Sequence, residues 1–177
     1  MLSIKMLGQV NISCNGVNIT DKMSTKQIAL ICLLVLNHDR EMNREKLCAY
    51  LWPDSDEEAA RYNLRYNLWK MKNLIPADPK GQNFILITKD SCRVNKKYRF
   101  QCDRLCIDSF DPHKQKSVEE LLQLKELFKG DFLEGFYMKN CNEFNEIILF
   151  ERVVCQTKQI EIMQKLADLY EEVNRSE

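Results

Sequence analysis

The sequence predicts an α+β fold over about residues 1–104 followed by an all-α segment over 105–177, and three observations carry that reading. Apolar and polar residues alternate from Leu2 to Thr20, the period of a half-buried strand. Three helical patterns then follow in close succession, the last with a basic, aromatic outer face, and a basic strand pair comes directly after it. From residue 105 the composition turns acidic and the apolar residues recur at helical spacing.

In Leu2-Ser-Ile-Lys-Met-Leu-Gly-Gln-Val-Asn-Ile-Ser-Cys-Asn-Gly-Val-Asn-Ile-Thr20 the alternation breaks at Gly8 and at Asn15-Gly16. Asn-Gly favours a type I′ turn, so strands are expected at roughly 2–7, 9–14 and 17–19 in a small antiparallel sheet. Ser24 with Gln27 caps a first helix whose middle, Ile28 to Leu36, is apolar nearly all round and therefore central to a core. After a polar turn over Asn37 to Met42, Asn43 caps a second helix carrying Leu47, Tyr50, Leu51 and Trp52, which Pro53-Asp54 ends.

The third helix, Ser55 to Ile75, organises the rest. Ser55 and Glu58 form an S-x-x-E capping box, Asp56, Glu57 and Glu58 lie where the helix dipole favours negative charge, and Pro76 stops the run. Stepping about 100° per residue puts Ala60, Leu64, Leu68, Met71 and Ile75 in one apolar stripe, with Asn67 and Leu74 at its margin. Opposite lie Tyr62, Arg65, Tyr66, Trp69, Lys70 and Asn73, flanked by Arg61 and Lys72. A plain solvated face rarely holds two tyrosines and a tryptophan among its bases. Nucleic acid is the preferred reading of this face; a protein partner, which aromatics and arginine also suit, and an ordinary exposed helix are the alternatives.

A strand pair follows: Phe84 to Thr88, a turn at Lys89-Asp-Ser91, and Cys92 to Asn95, adjoined by Lys96, Lys97, Tyr98 and Arg99. Helix, short turn, helix, tight turn and a third helix with a basic face is helix-turn-helix ordering, and a basic hairpin after it is a wing. In such a winged helix-turn-helix, Tyr62, Arg65, Tyr66, Trp69 and Lys70 are expected at base edges in the major groove. Arg61, Lys72, Lys89, Arg93, Lys96 and Lys97 are expected at the phosphates of double-stranded DNA; a solvated hairpin tip is the alternative for Lys96-Lys97, but such a tip beside a reading helix usually meets a phosphate.

The charge distribution points the same way. The net charge is zero, yet residues 1–104 carry 17 Lys/Arg against 11 Asp/Glu and residues 105–177 carry 9 against 15. From Arg61 to Arg99, ten bases meet only Asp78 and Asp90, so one patch seeks polyanions and the remainder does not.

Other function classes find little support. There is no phosphate-binding glycine loop, no H-E-x-x-H and no G-x-S-x-G, and with two histidines the usual general base is scarce, so no enzyme and no cofactor are expected. Cys92, Cys102, Cys106 and His113 match no common zinc framework and lack a C-x-x-C knuckle; packed or exposed thiols are expected there, and no metal. The eight cysteines follow no signal peptide and read as reduced thiols of a cytoplasmic chain. The longest apolar run, Ile28 to Leu36, is far too short for a bilayer, so no membrane association is expected.

Leu51-Trp52-Pro53-Asp54, Ala60-Arg61-Tyr62-Asn63-Leu64-Arg65 and Leu68-x-x-Met71-Lys72 together closely resemble the L-W-P-D…A-R-x-N-L-R…L-x-x-L-R signature of the SARP class of bacterial transcriptional activators. Leu7-Gly8, Lys26 and Asp108-Ser-Phe110 match as well, so the resemblance runs from about residue 2 to the end. It implies a response-regulator type of winged helix that binds direct repeats near a promoter and recruits RNA polymerase. Tyr62, Tyr66 and Trp69 depart from the small or basic residues often found there in the family, and Ser91-Cys92 replaces its glycine-tyrosine. Base preference therefore does not transfer.

In the acidic half, Asp108 to Gln115 reads as a junction, and Ser117 with Glu120 caps a helix through about Phe128. Gly130-Asp-Phe-Leu-Glu-Gly135 resembles the G-D-F-L-x-G element of the bacterial transcriptional activator domain, which implies a partial tetratricopeptide-like helical module. A final helix is expected from about Asn142 to Val173, with Phe144, Ile148, Cys155, Ile162, Leu166, Leu169 and Val173 in one stripe and Ile160, Met163, Ala167 and Tyr170 beside it. One neighbouring helix can cover only one of these stripes. The second is expected to be a homodimer surface or to meet a further C-terminal domain.

Overall fold

The computed structural model describes residues 1–176, and side chains through Glu172; the Val173 side chain assigned to the stripe above lies outside the described residues. The fold is mixed α/β, with two sheets and six α-helices among the described residues. Two compact units emerge: residues 1–3, 11–101 and 137–146 form the first, and residues 4–10, 102–136 and 147 onward the second. Two short segments, 4–10 and 137–146, are thus exchanged across what the sequence presents as a single cut. Alternation reveals which residues are buried, but not what buries them.

β1 (Leu2–Lys5) keeps the expected alternation, β2 (Asn11–Cys14) buries Ile12 alone, and both residues of β3 (Val17–Asn18) are exposed; all three strands are shorter than expected. Asn15 and Gly16 adopt φ of 50° and 82°, the positive pair that a type I′ turn needs, and Cys14 faces Val17 across the antiparallel register. α1 (Thr25–Leu36) begins with the reciprocal box: the Ser24 hydroxyl accepts from the Gln27 N–H while the Gln27 side chain accepts from the Ser24 N–H. Every residue from Gln27 to Val35 is buried, which is why the helix carries no polar face.

β4 (Met42–Asn43) occupies what reads as a polar turn; two residues are too few to show a period. Asn43 then caps α2 (Arg44–Leu51), accepting from the Glu45 and Lys46 N–H groups. α3 (Glu57–Leu74) is capped by Asp56, whose carboxylate accepts from the Ala59 N–H at 2.8 Å. Ser55, the expected cap, instead donates its own N–H to the Trp52 carbonyl at 3.2 Å and stays in the turn between the helices. Ala60, Leu64, Leu68, Met71 and Ile75 are all buried, as the stripe requires.

β5 (Ile85–Ile87) and β6 (Ser91–Val94) pair antiparallel with Ile87 opposite Cys92, and β4 adds to the other edge of β6, giving the order β4-β6-β5. β7 (Phe100–Cys102), not anticipated, joins the other sheet in the order β3-β2-β1-β7. Residues 137–146 are tied down by polar contacts. Asn145 bonds Met138 through both its amide atoms, Asn140 donates to Asp54 at 2.8 Å, and the Lys26 ammonium donates to the Leu51 carbonyl and to Cys141 Sγ.

In the second unit α4 (Asp103–Asp108) begins ahead of the expected junction, and the Ser117–Glu120 box opens α5 (Val118–Lys125), which stops short of Phe128. Leu121 from α5 and Phe110 pack with Ile162 and Leu166 of α6 (Asn142–Ser176), with Leu124, Phe128 and Leu169 at the margin. The Gly130 to Gly135 segment lies along residues 6–8: Gly8 N–H donates to the Asp131 carbonyl, Lys129 to Leu7, Leu133 to Met6 and Glu134 to Gly8. Gly8 has φ of 127°, and a Cβ there would stand 3.2 Å from Lys129, so both conformation and space demand glycine.

Candidate nucleic-acid interface

Burial of one stripe of α3 leaves the opposite face in solvent, where Tyr62 is 58% exposed, Tyr66 43% and Trp69 58%. Spaced i, i+4 and i+7, their rings form a row: Tyr62 and Tyr66 have centroids 6.4 Å apart and planes within 6°, and Tyr66 and Trp69 are 6.2 Å apart at 27°. Two cations lean over it, the Arg65 guanidinium 5.9 Å from the Tyr62 centroid and the Lys70 ammonium 5.1 Å from that of Tyr66. The five residues expected at base edges therefore share one exposed surface.

The residues expected at phosphates fall at two ends of this row. Thr88, Lys89 and Asp90 form the turn of the β5–β6 hairpin, where Thr88 Oγ1 accepts from the Asp90 and Ser91 N–H groups. Arg44, which the sequence reading missed, donates to the Thr88 carbonyl at 3.2 Å. Arg44, Arg61, Arg65 and Lys89 line one cleft of about 360 Å³ together with Asn43, Glu45 and Asp90. Arg44 was not legible because its approach to the hairpin depends on β4 pairing with β6.

Lys96 and Lys97 are not at the hairpin tip. They occupy the turn after β6, at the opposite end of that strand and so about 10 Å or more from Lys89. In that turn the Tyr98 N–H donates to the Asn95 carbonyl, and the Tyr98 hydroxyl donates to the carbonyl of Pro76, just beyond α3. Lys96 and Lys97 thus lie toward the C-terminal end of α3, as does the exposed Lys72.

Two candidate cations already hold acidic partners. Arg61 pairs with Glu57 at 2.6 Å and Glu45 at 3.0 Å, and Arg93 pairs with Glu41 at 3.5 Å. All are substantially exposed, so such pairs contribute little, about 0–1 kcal/mol, and exchange readily for a phosphate.

On α6 the stripe of Phe144, Ile148, Cys155, Ile162 and Leu166 is buried, whereas Ile160, Met163, Ala167 and Tyr170 are exposed, with Leu149, Phe150 and Val153 exposed before them. Among the described residues no group of three or more His, Cys, Asp or Glu is placed to hold a metal ion. Burial pushes the Cys92 thiol up to about 11 and the Cys102 thiol up to about 12, which keeps both protonated at neutral pH. Cys106 is exposed as a residue, but partial desolvation of its sulfur, with the nearby Asp103 charge, raises its pKa as well.

The fold resembles a solved one. The structure of Mycobacterium tuberculosis EmbR in complex with a low-affinity phosphopeptide superposes with a TM-score of 0.63 at 18% identity, over 93% of this chain and 44% of the EmbR chain. At that identity the likeness shows a shared fold, and the chain spans less than half the length of EmbR. No family model and no curated protein matches the sequence. Among the described residues no helix is long and apolar enough to cross a membrane.

Proposed function

We propose that the chain is a sequence-specific DNA-binding transcriptional regulator of the SARP type. Its first unit acts as a winged helix-turn-helix in which α2 and α3 are the helix pair and the β5–β6 hairpin is the wing. The observation that carries this reading is the exposed face of α3, which unites Tyr62, Arg65, Tyr66, Trp69 and Lys70 between two cationic ends. A helix lying in the major groove needs that arrangement: base-contacting side chains along its middle and phosphate contacts from each side. Arg44, Arg61 and Lys89 serve one backbone; Lys72, Lys96 and Lys97 serve the other. Arg93 strengthens the hairpin side once Glu41 releases it.

The fold shared with EmbR supports the architecture this reading needs, and the sequence signature supports a SARP-type regulator that activates through RNA polymerase. The second unit, with its paired α5 and α6, is read as the start of a tetratricopeptide-like activator module. A protein-interaction module is the second reading, favoured by the aromatic row itself, since Tyr, Trp and Arg also make protein hot spots.

Fluorescence anisotropy with labelled duplexes of varied sequence separates the roles. Lys97→Ala and Lys89→Ala should weaken all duplexes about equally. Arg65→Ala should cost roughly 1–3 kcal/mol on the preferred duplex and relax preference at one base pair. Uniform weakening by all three would mean that α3 does not read bases.

A further inference from the structure

The row on α3 offers an exposed surface with few hydrogen-bonding groups. Tyr62, Tyr66 and Trp69 stack on one another, so each ring restricts its neighbour's rotamers and the row stands preformed as an apolar ridge. Its polar atoms are two phenol hydroxyls and one indole N–H. Arg65 and Lys70 lie over ring faces, which leaves ring edges as the bulk of what a partner meets.

The major groove answers such a ridge in one way. Guanine, cytosine and adenine present donors and acceptors there, and a ring edge pressed on them strips water without supplying a partner. Thymine alone adds an apolar group, its C5 methyl. The segment from Arg61 to Arg99, with ten Lys/Arg against two Asp/Glu, makes the polyanionic duplex the occupant to which this ridge is fitted. Resting on the DNA-binding reading above, we propose that the Tyr62–Tyr66–Trp69 row determines specificity by selecting thymine, with Tyr66 and Trp69 packed against C5 methyl groups. Hydrogen-bonded readout then falls to Arg65 and Lys70 and to the three polar atoms at the ring tips. Methyl contact adds to the Arg65 readout a preference of its own, which separates T·A from every other pair by shape and polarity.

The test begins with selection of bound duplexes from a random pool by the full chain, followed by replacement of each thymine of the selected site with uracil, one at a time. Uracil deletes the methyl and leaves every hydrogen-bonding group in place. At one to three positions affinity should fall roughly fourfold, the worth of one buried methyl group. Trp69→Ala and Tyr66→Ala, both at exposed positions and so expected to fold, should each lose sensitivity to uracil at one of those positions while remaining sensitive at the others. Uracil duplexes bound as tightly as their thymine parents, or variants that retain full sensitivity, would overturn thymine selection while leaving DNA binding intact. Failure to bind any duplex at low salt would overturn the DNA reading and this inference with it. A protein captured on the same face, with no duplex bound, counts as that second outcome.

Discussion

Asp103 is buried, and its carboxylate accepts from three backbone N–H groups: Met6 at 2.8 and 2.9 Å, Leu7 at 2.9 Å and Arg104 at 2.7 Å. Burial raises its pKa more than those bonds lower it, so the group titrates above the usual Asp value. The folded chain then holds the proton more tightly than the unfolded one. The stabilisation this gives is complete below the ordinary Asp value and is lost as pH rises through it toward the raised one. Asp103→Asn exchanges an acceptor for a donor beside these amides and should cost roughly 1–3 kcal/mol. Urea unfolding of both proteins from about pH 4 upward should show the decline only in the parent. Arg104 beside it is also buried, and there Asp108 and Glu151, the latter at 2.8 Å, outweigh burial and hold the guanidinium charged. Arg104→Met should cost about 3–5 kcal/mol in thermal unfolding, because Glu151 would be left without its partner.

The two faces of α3 should respond oppositely to truncation. Leu64 is completely buried, so Leu64→Ala should cost about 2–5 kcal/mol, whereas Trp69→Ala should change stability by less than about 0.5 kcal/mol. Both faces were legible because 3.6-residue periodicity reports burial directly, and the caps at Ser24, Asn43 and Ser117 were legible because they are local chemistry. β4, β7 and α4 were not: each is six residues or shorter, and its existence depends on partners distant in sequence. The same distance hid Arg44; Lys96 and Lys97 adjoin β6 as expected, but β7 pairs in the other sheet, so their turn is not a hairpin tip. On α6 the stripe of Ile160, Met163, Ala167 and Tyr170 is uncovered, and an apolar strip of that length is expected to associate. Light scattering should detect self-association that Met163→Glu or Tyr170→Glu abolishes; a monomer at high concentration would show that the strip has no such role.

At the scale of the whole molecule the salient property is the segregation of charge, with the basic excess gathered between Arg61 and Arg99 in the first unit and the acidic excess in residues 105–177. A protein with zero net charge has no general attraction for polyanions, so any strong affinity for DNA must come from that one surface. Such an affinity carries a thermodynamic signature that a protein-binding hot spot lacks, because each phosphate neutralised releases a condensed counterion. The measurement that addresses this most directly is the salt dependence of duplex binding. With about four to six phosphates contacted, log K against log[salt] should fall with a slope of about −4 to −5, and charge reversal at Lys89 and Lys97 should flatten it. A salt-independent affinity, or no binding to duplex DNA at low salt, would contradict the account.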